Sequence, residues 1–429
     1  MKRPRLRSWV SICIGTLSVL SASHVQAGLV FNLEGNARLN DKHRLVDHGR
    51  TIMTSRDGMV DSTAAVWDRP LFDSNYAQVV NGGRFGGKAL ELTTRSNTSK
   101  QRKQRIEFVV RSLGSTADYG KYYYYGFSVR LDPGWQASSK GEWGGFMQVG
   151  QLDGQYSPIG LAFREGTTKL YVVNNYGEGQ GQFKQRTRDI VDMRRGQWYD
   201  FVLGFKFIPD KPEGFCHVWW KESGQRDWEQ VGWHDVQVGY RKHPWILNPI
   251  HFGIYRANSN KFQRLRVDEM RSSGYPGGAK VPGSGFIPHG GWWKLQFDGS
   301  KKCIDNMANS SNGSNFHQWS CGGGASDVNR QFRFFTTRRG QWHVISRRNA
   351  KAMDTYGDRN GRGGRLSKHT INTNQNHQRF RLIDRGGSKF SLQSVASGNC
   401  VDRLLGTTNG SPIVQWGCGG NSNRLRQIK

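Results

Sequence analysis

Three short segments in the N-terminal half of the chain carry polar side chains whose types and spacing could perform chemistry. The candidates are Arg105, Glu107 and Arg111 within residues 104–111, Gln148 within 146–150, and His251, Tyr255 and Arg256 within 251–256. Alternate side chains of a β-strand share a face, so the charged groups of the first segment would point together. The same spacing places His251 and Tyr255 on one face of the third. If the three strands are neighbours, these groups converge on one surface.

Such a set of side chains suits β-elimination on a polymer of uronic acids. The reaction must neutralise the C5 carboxylate, remove the C5 proton and protonate the departing glycosidic oxygen. Arg105 and the Gln148 amide could hold the carboxylate and stabilise the enolate-like intermediate. Tyr255 or His251 could move the protons as base and acid. The remaining charged groups of these segments (Glu107, Arg111 and Arg256) would bind substrate, and no redox cofactor is required.

Each of these residues also has a purely structural interpretation. Arg105 and Glu107 could form a cross-strand ion pair on a solvated face. Tyr255 could belong to an aromatic core with its hydroxyl bonded to backbone, and His251 taken alone is more typical of a structural residue. The order of the three segments, together with the basic charge of the chain, favours the catalytic interpretation.

The elements that must position these residues are predicted to be β-strands. From residue 28 to 273, Gly, Asn and Asp separate short alternating apolar runs, and no stretch keeps a helical period of 3.6. The runs that read as strands are 122–131, 145–149, 169–173, 198–207, 217–220 and 250–255. This spacing predicts an all-β fold, an antiparallel β-sandwich or jelly roll over a core rich in Phe, Tyr and Trp.

A Gly- and Pro-rich linker is predicted at residues 274–289, and the remainder, 290–429, repeats itself. Three copies of about 45 residues predict a small pseudo-threefold β domain, because one copy cannot bury its own apolar face. Cys303 and Cys321 are 18 residues apart, as are Cys400 and Cys418, which predicts two local disulfides in an oxidising compartment. Cys216 then remains as a buried thiol.

The repeats resemble the ricin B-type β-trefoil, a carbohydrate-binding module of secreted enzymes. The motifs are Cys-Ile-Asp and Gln-Trp-Ser-Cys in the first copy, and Cys-Val-Asp and Gln-Trp-Gly-Cys in the last. The resemblance implies sugar contacts from Asp305, Trp319 and Asn329 and from Asp402, Trp416 and Asn423. Arg330 and Arg424 stand where the family often has Gln. The middle copy keeps Asp354 but is read with Lys368 at the stacking position, so a weak or absent site is expected there.

The N-terminal segments resemble the jelly-roll polysaccharide lyases, a group that includes alginate, glucuronan and heparin lyases. The motifs are Arg105-Ile-Glu-Phe, Gln148-Val-Gly and Gly253-Ile-Tyr-Arg, and the resemblance covers about residues 83–272. It implies that Arg105 and Gln148 bind the carboxylate and that Tyr255 is the acid. Gly150 occupies the position of the family histidine, so either His251 replaces that group, or Tyr255 makes both proton transfers, or the domain binds without cleaving.

Residues 1–27 have the pattern of a signal peptide, with a basic start, an apolar stretch at 9–20 and small residues before a cleavage site at Ala27. An uncleaved N-terminal anchor is the alternative. Removing the four basic residues of this leader from the net charge of +29 leaves +25. A field of that sign attracts polyanions. For an exported, monomeric chain the expected partner is an acidic polysaccharide rather than nucleic acid or membrane.

Other functions fit the sequence less well. A retaining sandwich hydrolase needs two spaced carboxylates, and the candidate strands lack such a pair. No zinc-type spacing, phosphate loop or nucleophile elbow is present, and calcium is compatible with the fold but not required. The sequence therefore predicts a secreted lyase for an acidic polymer, alginate-like first, with glucuronan or heparin-type substrates or a non-catalytic lectin as alternatives.

Overall fold

The computed structural model describes residues 28–31, 38–39, 44–47, 50–54, 76–94, 103–110, 119–151, 157–179, 181–241, 247–257, 259–323, 325–355, 361–404 and 406–429. Only the backbone is described for 28–31, 38–39, 44–47, 50–54, 76–79, 88, 103–110, 247–249, 272 and 325–326. The signal peptide predicted at 1–27, and Arg111, lie outside these ranges. Among the described residues, no helix is long and apolar enough to cross a membrane.

The described N-terminal part of the chain consists almost entirely of strands. In chain order these are β1 (Gly28–Phe31), β2 (Arg38–Leu39), β3 (Arg44–Asp47), β4 (Arg50–Thr54), β5 (Tyr76–Asn81), β6 (Lys88–Thr94), β7 (Lys103–Val110), β8 (Tyr122–Leu131), β9 (Gly144–Gln151), β10 (Ile159–Phe163), β11 (Lys169–Gly179), β12 (Gln182–Asp192), β13 (Trp198–Lys206), β14 (Gly214–Glu222), β15 (Glu229–Val236), β16 (Gly239–Tyr240), β17 (Leu247–Ala257) and β18 (Gln263–Ser273). All six strands predicted from the sequence are present.

Apart from β2, β3 and β4, which form a separate three-stranded sheet, and the short β16, which runs parallel to β11, these strands form the predicted antiparallel sandwich. The larger sheet has the order β15-β14-β13-β8-β18-β6-β5, with β1 also on β18, and the smaller sheet has the order β12-β11-β10-β9-β17-β7. Alternation along the strands decides what is buried: in β13, Phe201 and Leu203 point into the core between the sheets, where they meet Phe252 of β17. The neighbouring β13 residues Asp200 and Val202 point to the other side.

The C-terminal repeats build the second β domain. Its strands are β19 (Trp293–Phe297), β20 (Lys302–Asp305), β21 (His317–Ser320), β22 (Gln331–Arg338), β23 (Gln341–Ser346), β24 (Ala352–Asp354), β25 (Ser367–His369), β26 (Phe380–Asp384), β27 (Lys389–Ser394), β28 (Cys400–Asp402), β29 (Val414–Trp416) and β30 (Leu425–Ile428), with 3₁₀ turns at Ala325–Arg330 and Asn376–Gln378. Strand β30 pairs with β19, which closes the unit. The predicted disulfides Cys303–Cys321 and Cys400–Cys418 are both formed.

The Gly- and Pro-rich connection packs tightly between the two domains. It contains the short helix α1 (Pro276–Ala279), whose Ala279 carbonyl lies where a side chain on Gly126 of β8 would be, 1.6 Å from an added Cβ. Ala279, Val281 and Ile287 belong to one apolar cluster with side chains of both domains. The connection therefore holds the repeat domain against the outer face of the larger sheet and does not act as a free tether.

Candidate active site and carbohydrate-binding sites

The three polar segments of the N-terminal domain lie side by side in the smaller sheet. Strand β17 is central and pairs with β7 on one side and β9 on the other. The register places Tyr255 opposite Arg105 and His251 opposite Gln148. The chain therefore brings the three predicted site segments together, as the sequence analysis required. The side chains of Arg105 and Glu107 lie outside the described residues, and their roles stay predictions.

Gln148 and Tyr255 line one cleft on the solvent-facing side of this sheet. The cleft has a volume of about 170 Å³. Its other lining residues include Trp143, Gly145, Ser157, Gly160, Tyr171, Asn175 and Gln185. Strand alternation puts His251 on the same face of β17 as Tyr255. His251 is not among the residues that line the cleft. The predicted proton-transfer groups therefore share a face, and Tyr255 is the one in the cleft.

A chain of hydrogen bonds fixes the orientation of the Gln148 amide. The Ser157 hydroxyl donates to Gln148 Oε1 at 2.9 Å, and the Asn175 amide donates to the Ser157 carbonyl at 2.8 Å. Gln185 in turn donates to Asn175 Oδ1 at 3.0 Å. Because Oε1 accepts from Ser157, the donor group Nε2 is the part of the amide suited to a carboxylate. Sequence reasoning missed Ser157, Asn175 and Gln185, since hydroxyl and amide residues in loops and strands are common.

Trp143 forms a wall of the cleft beside Tyr255. Its ring packs edge-on against the Tyr255 ring, with centroids 4.6 Å apart and an interplanar angle of 76°, and the side chain is 40% exposed. An exposed indole next to a polar cleft can cover the apolar face of a sugar ring. The sequence analysis missed this residue, although a Trp between Glu142 and the Gly144-Gly145 pair is a signal that could have been used.

Gly150 follows Gln148 by two residues on β9, and therefore shares its face. This is the position where the resemblance to jelly-roll lyases expects a histidine. His251 is the cross-strand neighbour of Gln148, so an imidazole is present on the adjacent strand although it is absent from β9. Among the described residues of these paired strands, His251 is therefore the candidate imidazole.

Arg256 does not face this cleft, which corrects its prediction as a substrate-binding residue. It alternates with Tyr255 on β17 and is fully buried, and its Nη2 donates to the Lys261 carbonyl at 2.7 Å. Burial lowers the pKa of Arg256 to about 10, against the opposing effect of Glu142. The Glu142 carboxylate accepts from the Ser259 hydroxyl at 2.8 Å. Arg256 and Glu142 therefore support the loops that carry Trp143 and the end of β17.

In the first repeat of the C-terminal domain, Asp305 is held by protein groups. Its Oδ2 accepts from Arg330 Nε at 2.8 Å and its Oδ1 from the Met307 N–H at 2.6 Å, and only 3% of the residue is exposed. Trp319, opposite Cys303 on the paired strand, is half-buried, and the Asn329 side-chain oxygen is buried without a hydrogen-bond partner. The arginine that replaces the expected Gln is thus the ion-pair partner of Asp305.

In the last repeat, Asp402 is buried, and burial raises its pKa against the opposing hydrogen bond from Ser422, whose hydroxyl donates to Oδ2 at 2.7 Å. Asn423 is also buried: it accepts from the Ser391 hydroxyl at 2.9 Å and donates to the Gly417 carbonyl at 3.0 Å. These contacts make Asn423 a supporting residue behind the site. Trp416 is 40% exposed and is suited to stacking on a ligand.

The middle repeat differs from its sequence interpretation. Strand pairing aligns His369 with Ala352 as it aligns Trp319 with Cys303, so His369 occupies the stacking position and Lys368 does not. Lys368 instead has the place of Gln318 in the first repeat and donates from the interior to the Asn306 carbonyl at 2.6 Å. Burial lowers the pKa of Lys368 to about 8. The assignment of Lys368 to the stacking position, on which the expectation of a weak middle site rested, was therefore wrong.

A cavity of about 660 Å³ opens at this middle repeat. Asp354 lies at its base and accepts from Gln378 Nε2 at 2.8 Å, while His377 Nε2 lies 3.7 Å from the Asp354 carboxylate. His369 and Asn372 line the walls. A carboxylate, an amide and an aromatic ring around one cavity are the groups that recognise a sugar.

Comparison with known proteins assigns both domains. The family model described as "Polysaccharide lyase" matches residues 35–271, more than half of the chain. The chain belongs to the polysaccharide lyase family. A second model, "Ricin-type beta-trefoil lectin domain-like", matches the lyase at residues 286–366 and 328–416. No protein of curated function matches the lyase in sequence.

Several solved structures are similar to parts of the lyase. The designed threefold-symmetric protein ThreeFoil is 26% identical with a TM-score of 0.30, over 32% of the lyase and 98% of its own chain. The C-half of the earthworm R-type lectin is 17% identical with a TM-score of 0.26, over 32% of the lyase and 98% of the lectin chain. A GlcNAcα1-4Gal-releasing endo-β-galactosidase from Clostridium perfringens is 8% identical with a TM-score of 0.26, over 82% of the lyase and 88% of the galactosidase chain.

Proposed function

We propose that the chain is a secreted lyase that cleaves a uronate polymer by β-elimination, with alginate-like polymers as the first choice of substrate. The observation that carries this proposal is the shared cleft of Gln148 and Tyr255, next to a strand whose register sets Arg105 opposite Tyr255. Membership of the polysaccharide lyase family supports the reaction type. The acidic substrate follows from the basic net charge of the chain and from the carboxylate chemistry below.

In the proposed reaction, Arg105 and Gln148 bind the C5 carboxylate of the sugar at the cleavage point. Their hydrogen bonds lower the energy of the enolate-like intermediate that forms when the C5 proton leaves. The electron pair released at C5 forms the C4–C5 double bond, and the bond from C4 to the glycosidic oxygen breaks. That oxygen takes a proton from Tyr255. His251, or Tyr255 itself in its deprotonated form, removes the C5 proton.

Trp143 would orient the sugar ring for this reaction. The indole stands at the edge of the cleft and packs against Tyr255, so a ring stacked on it would present its substituents towards Gln148 and Tyr255. Holding a reactant in this orientation raises the rate of the chemical step, because the reacting atoms start close together.

The ricin-type domain would keep the enzyme on its polymer. Its exposed Trp416 and the cavity at Asp354 and His369 are candidate sugar contacts on separate repeats. Two or more weak contacts on one polymer raise the local concentration of cleavable bonds without any change in the chemistry. Export, which the leader at residues 1–27 supports, would bring the protein to such polymers outside the cell.

The substrate class is tested by mixing the purified chain with alginate, its mannuronate-rich and guluronate-rich blocks, glucuronan and heparin, and following ultraviolet absorbance from new C4–C5 double bonds. Absorbance should rise on one uronate polymer, and mass spectrometry should find unsaturated oligosaccharides. A neutral galactan is the matched control and should give no rise. Reducing ends without unsaturation would instead identify a hydrolase.

A non-catalytic carbohydrate-binding protein is the second candidate, and Gly150 at the expected histidine position is the observation that favours it. The same panel separates the two functions. Polymers that are retained by the chain but yield no unsaturated product would support the lectin. Introducing Gly150→His should then create or raise lyase activity if the missing imidazole is the only obstacle.

A further inference from the structure

A second cleft lies at the junction of the two domains, on the side of the larger sheet. It has a volume of about 490 Å³, and its walls come from β8 and β13 of the sandwich and from the start and end of the ricin-type domain. The lining residues that matter for its chemistry are Tyr122, Lys206, Trp292, Trp293, Arg347 and Lys429. None of these belongs to the cleft of Gln148 and Tyr255 or to the predicted sugar contacts of the repeats.

Three cations of this cleft lack a carboxylate partner. Among the described residues, no Asp or Glu oxygen comes within 4.0 Å of the side-chain nitrogens of Lys206, Arg347 or Lys429. The Lys206 ammonium is partly buried, and this burial lowers its pKa. Glu213 opposes that effect, while Lys429 and Arg347 add to it. Lys206 is the partly buried member, whereas Arg347 and Lys429 are exposed at the rim. Like charges that lie close together are stabilised when an anion enters.

The nearby acidic groups are mostly engaged elsewhere. Asp235 accepts from Arg333 Nη1 at 2.5 Å and from the Trp292 indole at 2.9 Å. Lys294, a fourth cation of the lining, is paired with Asp327 at 3.2 Å. Glu213 is the remaining acidic side chain in the lining, against three cations that have no carboxylate partner among the described residues, although Arg347 donates to the Gln331 side-chain oxygen. The cleft therefore keeps an excess of positive charge.

Aromatic rings lie between these cations. Tyr122 and Trp293 pack with centroids 5.3 Å apart, and Lys429 Nζ lies 4.9 Å from the centre of the Tyr122 ring. Arg333 lies over the Trp292 ring at 4.7 Å, and Arg347 lies 5.9 Å from it. Indole and phenol faces beside cations suit a ligand with both apolar ring faces and negative groups, which describes an acidic sugar better than an isolated anion.

We propose that this interdomain cleft binds an anionic oligosaccharide, with Lys206, Arg347 and Lys429 on its carboxylate or sulfate groups and Trp292 against a sugar ring. A saccharide fits better than a nucleic acid because both domains of the chain belong to carbohydrate-acting or carbohydrate-binding families. The site needs contributions from both domains, so it depends on their packing. It is separate from cleavage and stands whether or not the chain proves to be a lyase.

Lysine protection maps this site directly in the full chain. The protein is acetylated briefly with and without a uronate hexasaccharide, a heparin-type hexasaccharide, a neutral hexasaccharide or inorganic sulfate, and each lysine is quantified by mass spectrometry. The acidic saccharides should slow acetylation of Lys206 and Lys429, and should leave Lys301, an exposed lysine that lines neither cleft, unchanged. The two acidic saccharides distinguish carboxylate from sulfate recognition. Equal protection by sulfate alone, or none at Lys206 and Lys429, would overturn the proposal.

A double variant gives the second measurement. Lys206→Ala with Arg347→Ala should weaken calorimetric binding of the protective hexasaccharide about tenfold or more, and should abolish the protection of Lys429. The matched control, Arg195→Ala with Arg348→Ala, removes two positive charges from exposed positions that line neither cleft and should change binding less than about twofold. Equal weakening in the two double variants would show only a general charge effect and would contradict the site. A chain that binds here but makes no unsaturated product would refute the proposed reaction and leave this inference intact.

Discussion

At the scale of single residues, the structure separates groups that the sequence listed together. Tyr255 and Gln148 line the cleft, whereas Arg256, the immediate neighbour of Tyr255, is buried on the other face of the same strand. Two alternating positions therefore face different surroundings: Tyr255 faces the cleft and Arg256 faces the supporting loops. Trp143 was missed because nothing in a single sequence says which of 15 tryptophans stays exposed.

Gln148→Glu tests the carboxylate-binding role at this scale. The change keeps the size of the side chain but places a negative charge beside the substrate carboxylate, so kcat/KM should fall about 100-fold or more near neutral pH. Steady-state rates from double-bond formation check this. Gln182→Glu, on the exposed start of β12, is the control and should retain activity. An unchanged rate for Gln148→Glu would remove Gln148 from the site.

At the scale of elements, strand register was the part that the sequence could not supply. Composition and alternation were enough to predict six of the sandwich strands, the repeats and both disulfides, because those depend on local patterns. The middle repeat has no cysteines to anchor its alignment, so Lys368 was assigned to a position that the β24–β25 pairing gives to His369. A one-residue slip on a strand exchanges an inward side chain for an outward one.

Strand β13 also carries a buried charge network that supports the larger sheet. Asp200 is fully buried and accepts from Arg84 at 2.7 and 2.8 Å, from Lys221 at 2.7 Å and from the Ser128 hydroxyl at 2.7 Å. Burial acts to raise the pKa of Asp200, but the bonds from Arg84 and Lys221 outweigh it and hold the pKa below its usual value. The network joins three strands of the sheet with the Arg84 loop.

Asp200→Ala should lower the free energy of unfolding by about 3–5 kcal/mol, because it leaves buried cations without their partner. Denaturant unfolding measures this, with Asp192→Ala at the exposed end of β12 as the control. Since the folded pKa is depressed, the contribution of Asp200 is complete above the unfolded-state pKa of about 3.9 and is lost as pH falls through the folded value. A variant as stable as the parent would show that the network contributes nothing net.

At the scale of the whole molecule, the two domains share one apolar cluster. Phe215 and Trp219 of β14 pack with Ile287 of the connection and with the interior of the ricin-type domain. Gly290 lies so close to Phe215 that an added Cβ would be 2.2 Å from its ring. Ion pairs such as Arg339–Glu229 cross the same boundary. The Gly- and Pro-rich connection at 274–289, which the sequence predicts as a linker, is thus a packed joint between the two domains.

This joint predicts that the two domains unfold together. Calorimetry of the full chain should show a single transition, and Gly290→Val should lower its midpoint by several degrees, since ~1 kcal/mol shifts a large domain by about 2–4 °C. Gly323→Ala, at an open loop of the first repeat whose backbone φ is not positive, has space around it and serves as a local control. Two well-separated transitions in the parent chain would contradict a shared core.

The central claim is that Tyr255 protonates the departing oxygen in a β-elimination. It is tested most directly by following double-bond absorbance for the parent chain and for Tyr255→Phe on the polymer that the parent cleaves. We expect a rate reduced by about 100- to 10,000-fold with binding of the polymer retained, since only the hydroxyl is removed. Tyr119→Phe, remote from the cleft, should behave as the parent. A Tyr255→Phe variant that still forms unsaturated products at the parental rate would contradict the assignment.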